Sequence, residues 1–176
     1  MNLVTGATGI IGRPLVRPRA GMVVTKYVRF VSLVFTGLFA GFLTGVLVLE
    51  LSLRNFDAAV YTQVRLVELD SLDKLAVVTL LPALLATAVL VYQAFGTNGR
   101  YLTVAALALL VFVFVLTLIV NLPINSDQLQ WSPTNPPNDW ANVRNRWQIA
   151  HAARTVAAVL AFSLLSCATV LPSKKR

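Results

Sequence analysis

Charge is scarce in this chain. Only 12% of its residues are Asp, Glu, Lys or Arg, while 57% are hydrophobic. A soluble domain of 176 residues needs far more charge to cover its surface, so the composition points away from a water-soluble globule. Cysteine is nearly absent. Cys167 stands alone, which rules out an intramolecular disulfide, and its place in the last apolar run reads as a small buried residue. His151 is the only histidine, so one chain cannot assemble a multi-histidine metal cage. A basic stripe with interleaved aromatics is also lacking. The net charge of +8 sits at the ends of apolar runs instead, which argues against nucleic acid as a partner.

What is present is apolar sequence in four long runs, at about Phe30–Leu49, Lys74–Phe95, Tyr101–Val120 and Ala152–Leu171. About 20 residues at a 1.5 Å rise cross a hydrocarbon core of ~30 Å. The expected fold is therefore all-α: an integral membrane four-helix bundle, with residues 28–171 as the membrane domain and 172–176 as a basic tail. Residues 1–27 read as a poorly ordered N-terminal extension.

Between the first two spans, Phe56, Val60, Val64 and Val67 recur at helical spacing, with Arg54, Asp57, Arg65 and Glu68 on other faces. That pattern predicts an extra amphipathic helix outside the membrane, or an extension of the first span. Asp70, Ser71, Leu72 and Asp73 are expected to end it and to cap the next helix. Pro82 should bend span two. Gly37, Gly41 and Gly45 repeat along one face of span one, which suits close packing inside the bundle, or homodimerisation through that face as the lesser option.

Orientation follows from the span ends. Arg13, Arg17, Arg19, Lys26, Arg29, Arg100, Lys174, Lys175 and Arg176 lie in pieces that contain no acid. Glu50, Asp57, Glu68, Asp70, Asp73, Asp127 and Asp139 fall in the first and third connections or at their edges. By the positive-inside rule this is a multi-pass cell-membrane protein with both termini in the cytoplasm.

The N-terminal run Val4, Thr5, Gly6, Ala7, Thr8, Gly9, Ile10, Ile11 and Gly12 resembles the nucleotide-binding start of short-chain dehydrogenase-like proteins. The resemblance covers residues 3–16 and then stops. A working dinucleotide site needs a helix, a second strand and an acid about 20 residues on, and Pro18 intervenes. The segment reads as a leftover fragment, or as sequence upstream of a true start near Met22, and not as a cleaved secretory signal.

The polar chemistry concentrates between Asn121 and Arg154. Asn121 and Asn125 are four apart and project the same way on a helix, with Pro123 distorting the turn between them. Asn138 or Asp139 suits an N-cap for a helix starting near Trp140. On that helix Trp140, Arg144, Trp147, His151 and Arg154 follow steps that place all five on one face. Taken singly, tryptophan and arginine are ordinary interface anchors. Arg154 is different, because it lies inside an apolar run where a charge needs a cavity or a partner. Glu50, at the membrane boundary, is either solvated or turned inward toward Arg154 or His151.

Asn121, Leu122, Pro123, Ile124 and Asn125, followed by Trp131, Pro137, Asp139, Trp140, Arg144, Arg146, Trp147, His151 and Arg154, resemble the signature of the DUF1772, or anthrone oxygenase-like, membrane family. The resemblance covers about Val28 to Leu171. It implies a four-span protein and, for some members, oxidation of an anthrone by O2 with no cofactor and no metal. On that footing His151 would take the acidic proton of the substrate and Arg154 or Arg144 would stabilise the oxyanion. Trp140 and Trp147 would stack on a flat ring system, while Asn121 and Asn125 would bind its oxygens. Rival expectations are a non-catalytic protein binding a lipid, a quinone or a protein partner, a metal site from Glu50, Asp139 and His151, and, least, a transporter.

Overall fold

In lipid every backbone polar group needs a partner within the protein, and an apolar run meets that demand as a helix. The structure, a computed structural model, describes residues 19–94 and 100–170. Its elements are α1 (Arg19–Ser52), a 3₁₀ turn (Leu53–Asn55), α2 (Ala58–Gln93), α3 (Arg100–Leu116), a π-helical turn (Thr117–Asn121), α4 (Leu122–Gln128) and α5 (Trp140–Val170). The π turn joins α3 and α4 into one rod, Arg100–Gln128, and this rod, α1, α2 and α5 are each long and apolar enough to cross a membrane. The protein is an all-α, four-span bundle. The dehydrogenase-like motif at residues 3–16, the turn at 96–99 and the tail at 172–176 lie outside the described residues.

The four rods form a ring in which α1 packs on α2 and α5, and α3 packs on α5 and α2. The α2–α3 seam is the most thinly packed of the four. Phe39 and Leu43 of α1, Leu80 and Ala83 of α2, Ala106 and Leu110 of α3, and Ala157, Ala158 and Ala161 of α5 make the core. Alanine at so many facing positions lets the backbones approach closely, which is how helices associate in lipid. Ser32 and Thr87 share a buried hydrogen bond of 2.8 Å across α1 and α2. Outward faces carry Leu38, Leu85, Val89, Phe112, Ile119 and Val159, an apolar belt that a soluble monomer would not leave exposed.

Several expectations are corrected. No separate amphipathic helix precedes span two, because α2 runs unbroken from Ala58 to Gln93. Neither proline nor glycine occurs between Ala58 and Leu81, so nothing at Asp70–Asp73 stops the hydrogen-bond ladder. Its first half is also turned the other way round: Val60 and Val67 face outward, while Tyr61, Arg65 and Glu68 are buried. The cap is Asp57, whose carboxylate accepts from Val60 N at 2.9 Å. Helix α1 starts at Arg19, earlier than the Phe30 boundary of its apolar run. Cys167 is exposed, because Ala161 and Leu165 hold the inward face of α5.

The glycine row divides. An added Cβ at Gly37 would meet Phe162 Cε2 at 3.0 Å, whereas at Gly41 and Gly45 it would meet nothing within 4 Å. Close packing inside the bundle is therefore a property of Gly37 alone in that row. Gly41→Ala should be neutral or stabilising by up to about 1 kcal/mol, the helix-propensity gain. Gly37→Leu must displace Phe162 and should cost about 1–3 kcal/mol. Thermal unfolding of both variants in detergent micelles checks the contrast.

Candidate functional site

Three helical registers converge at one end of the bundle. On α2, Tyr61, Arg65 and Glu68 follow steps of four and three, and on α5 Trp147, His151 and Arg154 do the same. The third rod adds Thr117 and Asn121 from the π turn and Asn125 from α4. Pro123 supplies no N–H and crowds the carbonyl four residues back, and the wider π turn ends two residues before it. The distortion expected at this proline is present, and both asparagines turn inward.

Arg65 is the hub. Its Nη1 donates to Glu68 Oε2 at 2.6 Å and lies 3.4 Å from Glu50 Oε1. Its Nε donates to Gln128 Oε1 at 3.0 Å, and its Nη2 to Asn125 Oδ1 at 2.9 Å. The guanidinium carbon stands 4.1 Å from the centre of the Trp147 ring. Around the hub, Gln148 Nε2 donates to Glu50 Oε2 at 2.9 Å and to the Glu50 carbonyl at 2.7 Å. Arg54 Nε in turn donates to Gln148 Oε1 at 2.6 Å.

Trp147 Nε1 donates to Asn125 Oδ1 at 2.7 Å. The Asn125 amide nitrogen reaches both carboxylate oxygens of Asp73, at 3.2 and 3.3 Å. One asparagine thus ties α2, α4 and α5 together. Asn121 stands behind it and donates to the Trp147 carbonyl at 3.4 Å.

Arg154 is built differently. Its Nη1 donates to Thr117 Oγ1 at 2.9 Å, its Nη2 lies 2.7 Å from His151 Nδ1, and His151 Nε2 lies 3.0 Å from the Leu43 carbonyl. A guanidinium only donates and a carbonyl only accepts. His151 therefore accepts at Nδ1 and carries its proton on Nε2, with neither ring nitrogen free. Its ring is stacked on Trp147 at 4.7 Å. Arg154 is 7% exposed, its Nε has no hydrogen-bond partner, and it forms no ion pair among the described residues.

These groups surround a cavity of about 110 Å³. Its polar wall is Arg65, Glu68, Asp73, Thr117, Asn125, Trp147, His151 and Arg154, and its apolar wall includes Phe42, Val46, Ala76, Val77 and Leu122. The Arg65 charge is taken up by two carboxylates, while the Arg154 charge is open to whatever enters. Asp73, half-buried at the same cavity, supplies a carboxylate across from it.

Of the residues singled out in the sequence, Asn125, Trp147, His151 and Arg154 line this cavity. Asn121 supports it from behind. Glu50 is fully buried and faces Arg65, neither solvated nor paired with Arg154 or His151. Trp140 and Arg144 lie apart, with the Arg144 guanidinium 4.8 Å from the Trp140 ring and Trp140 5.6 Å from Tyr61. Glu50, Asp139 and His151 do not gather into a metal cluster among the described residues. Arg65, Glu68, Asp73 and Thr117 are the residues that sequence reasoning missed. The one signal for Arg65 and Glu68 was their spacing with Tyr61, which marks a polar face as clearly as the valines mark an apolar one.

Residues 74–164, just over half of the chain, match the family model described as Anthrone oxygenase. The match takes in Thr117, Asn125, Trp147, His151 and Arg154, and leaves Glu50, Arg65, Glu68 and Asp73 outside. No curated protein and no solved structure matches the chain.

Proposed function

Because the chain belongs to the anthrone oxygenase family, we propose that it is a membrane-bound oxygenase that converts the ring methylene of a flat phenolic ketone of the anthrone type to a carbonyl. The observation that carries this reading is the buried, unpaired Arg154, facing the same cavity as the Asp73 carboxylate. A base and a fixed cation facing one small space suit an acid that ionises to an oxyanion.

The reaction balances as one ring methylene and one O2 giving one ring carbonyl and one water. Asp73 takes the methylene proton while Arg154 stabilises the enolate oxygen. The electron-rich carbon gives one electron to O2, and the resulting pair joins through a new C–O bond to form a peroxide anion. This anion takes the proton back from Asp73 to become a hydroperoxide and leaves the carboxylate free again. Loss of the remaining C–H proton to the base then breaks the O–O bond, and hydroxide leaves with a proton as water. His151, with both nitrogens engaged, holds Arg154 in place and is a positioning residue here. Trp147, fixed by Asn125, Arg65 and His151, forms one wall.

In this reading the chain lies in the cell membrane with both termini in the cytoplasm, since its basic ends lack acids. The Asp73 end of the bundle then faces the other side.

Purified protein in lipid nanodiscs, given an anthrone, should consume O2 and form quinone one for one. Asp73→Asn should lower kcat by roughly 10²–10⁴, the usual worth of a general base, with an unchanged circular dichroism spectrum. Wild-type protein that binds the anthrone without consuming O2 would overturn the oxygenase reading in favour of a non-catalytic binding protein.

A further inference from the structure

We propose that the substrate reaches the cavity sideways out of the bilayer, between α2 and α4, through a mouth made by Val77 and Leu122, and that these two side chains select which ring systems pass. The inference rests on the oxygenase reading for the identity of the ligand, but its geometry stands on separate observations.

Val77 and Leu122 line the cavity and are at the same time 55% and 45% exposed on the outer surface of the bundle. A side chain that does both borders an opening. The opening falls at the α2–α3 rod seam, the most thinly packed of the four. It also adjoins the π turn Thr117–Asn121, which Leu122 directly follows, and π turns are local departures from the stiff α-helical ladder. Burial is graded across the cavity lining: Val77 and Leu122 are exposed, Thr117 is half-buried, and His151 and Arg154 are buried.

Depth agrees with that gradient. Asp73 and Lys74 are the last charged residues of α2 before its apolar run, and Val77 lies one turn into that run, about 6 Å on at 1.5 Å per residue. Phenolic ring systems settle at this level of a bilayer, with the ring in the hydrocarbon and the hydroxyl toward the headgroups. A ligand resting there meets the mouth directly, and then passes about 8 Å further inward, from the level of Leu122 to that of Thr117, to bring an oxygen to Arg154.

Size requires the mouth to matter. The cavity of about 110 Å³ is smaller than the ~150 Å³ void that accommodates benzene, so a tricyclic ligand cannot be enclosed with the mouth closed. It must part Val77 from Leu122 and remain partly between them. Bulk at these positions therefore acts on uptake, before any chemistry.

The test uses the full chain in nanodiscs. Val77→Trp and Leu122→Trp should raise KM about tenfold or more with kcat little changed, the mark of lost binding that ground and transition states share. Leu85→Trp, on an outward face of α2 away from the cavity, should behave as wild type. Val77→Ala should extend turnover to bulkier ring systems. Leu122→Cys in a Cys167→Ala background gives a readout without turnover: labelling by an apolar maleimide should be slowed by an anthraquinone added to the bilayer.

Tryptophan variants whose kinetics match Leu85→Trp would overturn the lateral route. Labelling at Leu122→Cys that an anthraquinone leaves unchanged would overturn it as well. Protection by anthraquinone in a protein that consumes no O2 would uphold the route while removing the oxygenase reading.

Discussion

Arg65→Leu should destabilise the folded protein by about 3–5 kcal/mol, the usual cost of removing one member of a buried charge network. Two carboxylates, Glu50 and Glu68, depend on this one guanidinium. Each already has one oxygen without a hydrogen-bond partner, so no neighbouring donor stands ready to replace the arginine. Gln128 and Asn125 would lose its N–H donors as well, and Trp147 would lose the cation against its ring. Leucine restores volume but satisfies none of these groups.

Unfolding in detergent, followed by helicity against denaturant or temperature, measures the loss. Adding Glu50→Gln and Glu68→Gln to Arg65→Leu should recover a large part of it, because the stranded charges are removed along with their partner. A loss under about 1 kcal/mol, the scale of a surface pair, would mean that the network is solvated.

The second large effect concerns the same residue type one helix away, with the opposite outcome for stability. Arg154→Gln should lower kcat by about 10²–10³, as deletion of an oxyanion donor does, yet leave the thermal midpoint unchanged or raised. The reason is the missing ion pair: Arg154 has a histidine and a threonine as hydrogen-bond partners, and the Asp73 carboxylate acts on it only across the cavity. A buried charge held that way costs a few kcal/mol in a span, and a neutral amide removes the cost. Arg154→Lys keeps the charge without the planar fork and should fall between. Steady-state O2 uptake with an anthrone, beside a melting curve for each variant, separates the two effects. An Arg154→Gln protein that unfolds as readily as Arg65→Leu would show that Arg154 is a structural strut.

How much of this was legible varies by element. The α5 stripe was readable because it is continuous in sequence and its steps match one helix turn. Trp147, His151 and Arg154 lie together as that periodicity requires, while Trp140 and Arg144, on the same stripe, sit beyond the cavity against Tyr61. The start of α5 at Trp140 and the distortion next to Pro123 were legible for a local reason: proline and the residues around it restrict their own backbone. Arg65 and Glu68 were not. Their side of α2 is as periodic as the valine side, and a helix in water and a helix in lipid turn the same pattern in opposite directions.

The apolar runs alone determined that the chain crosses a membrane as four helices, since a backbone in hydrocarbon must satisfy its hydrogen bonds internally and uninterrupted apolar runs of about 20 residues do so as helices. Rotation of each helix about its axis was a tertiary decision, made when Glu50 on α1, Arg65 and Glu68 on α2, Asn125 on α4 and Trp147 on α5 found one another. Those contacts join residues up to 60 positions apart, and no local pattern encodes such a meeting. The same packing left Arg154 without an ion pair and Asp73 open to the cavity, so the chemistry proposed for this protein follows from how its helices turned.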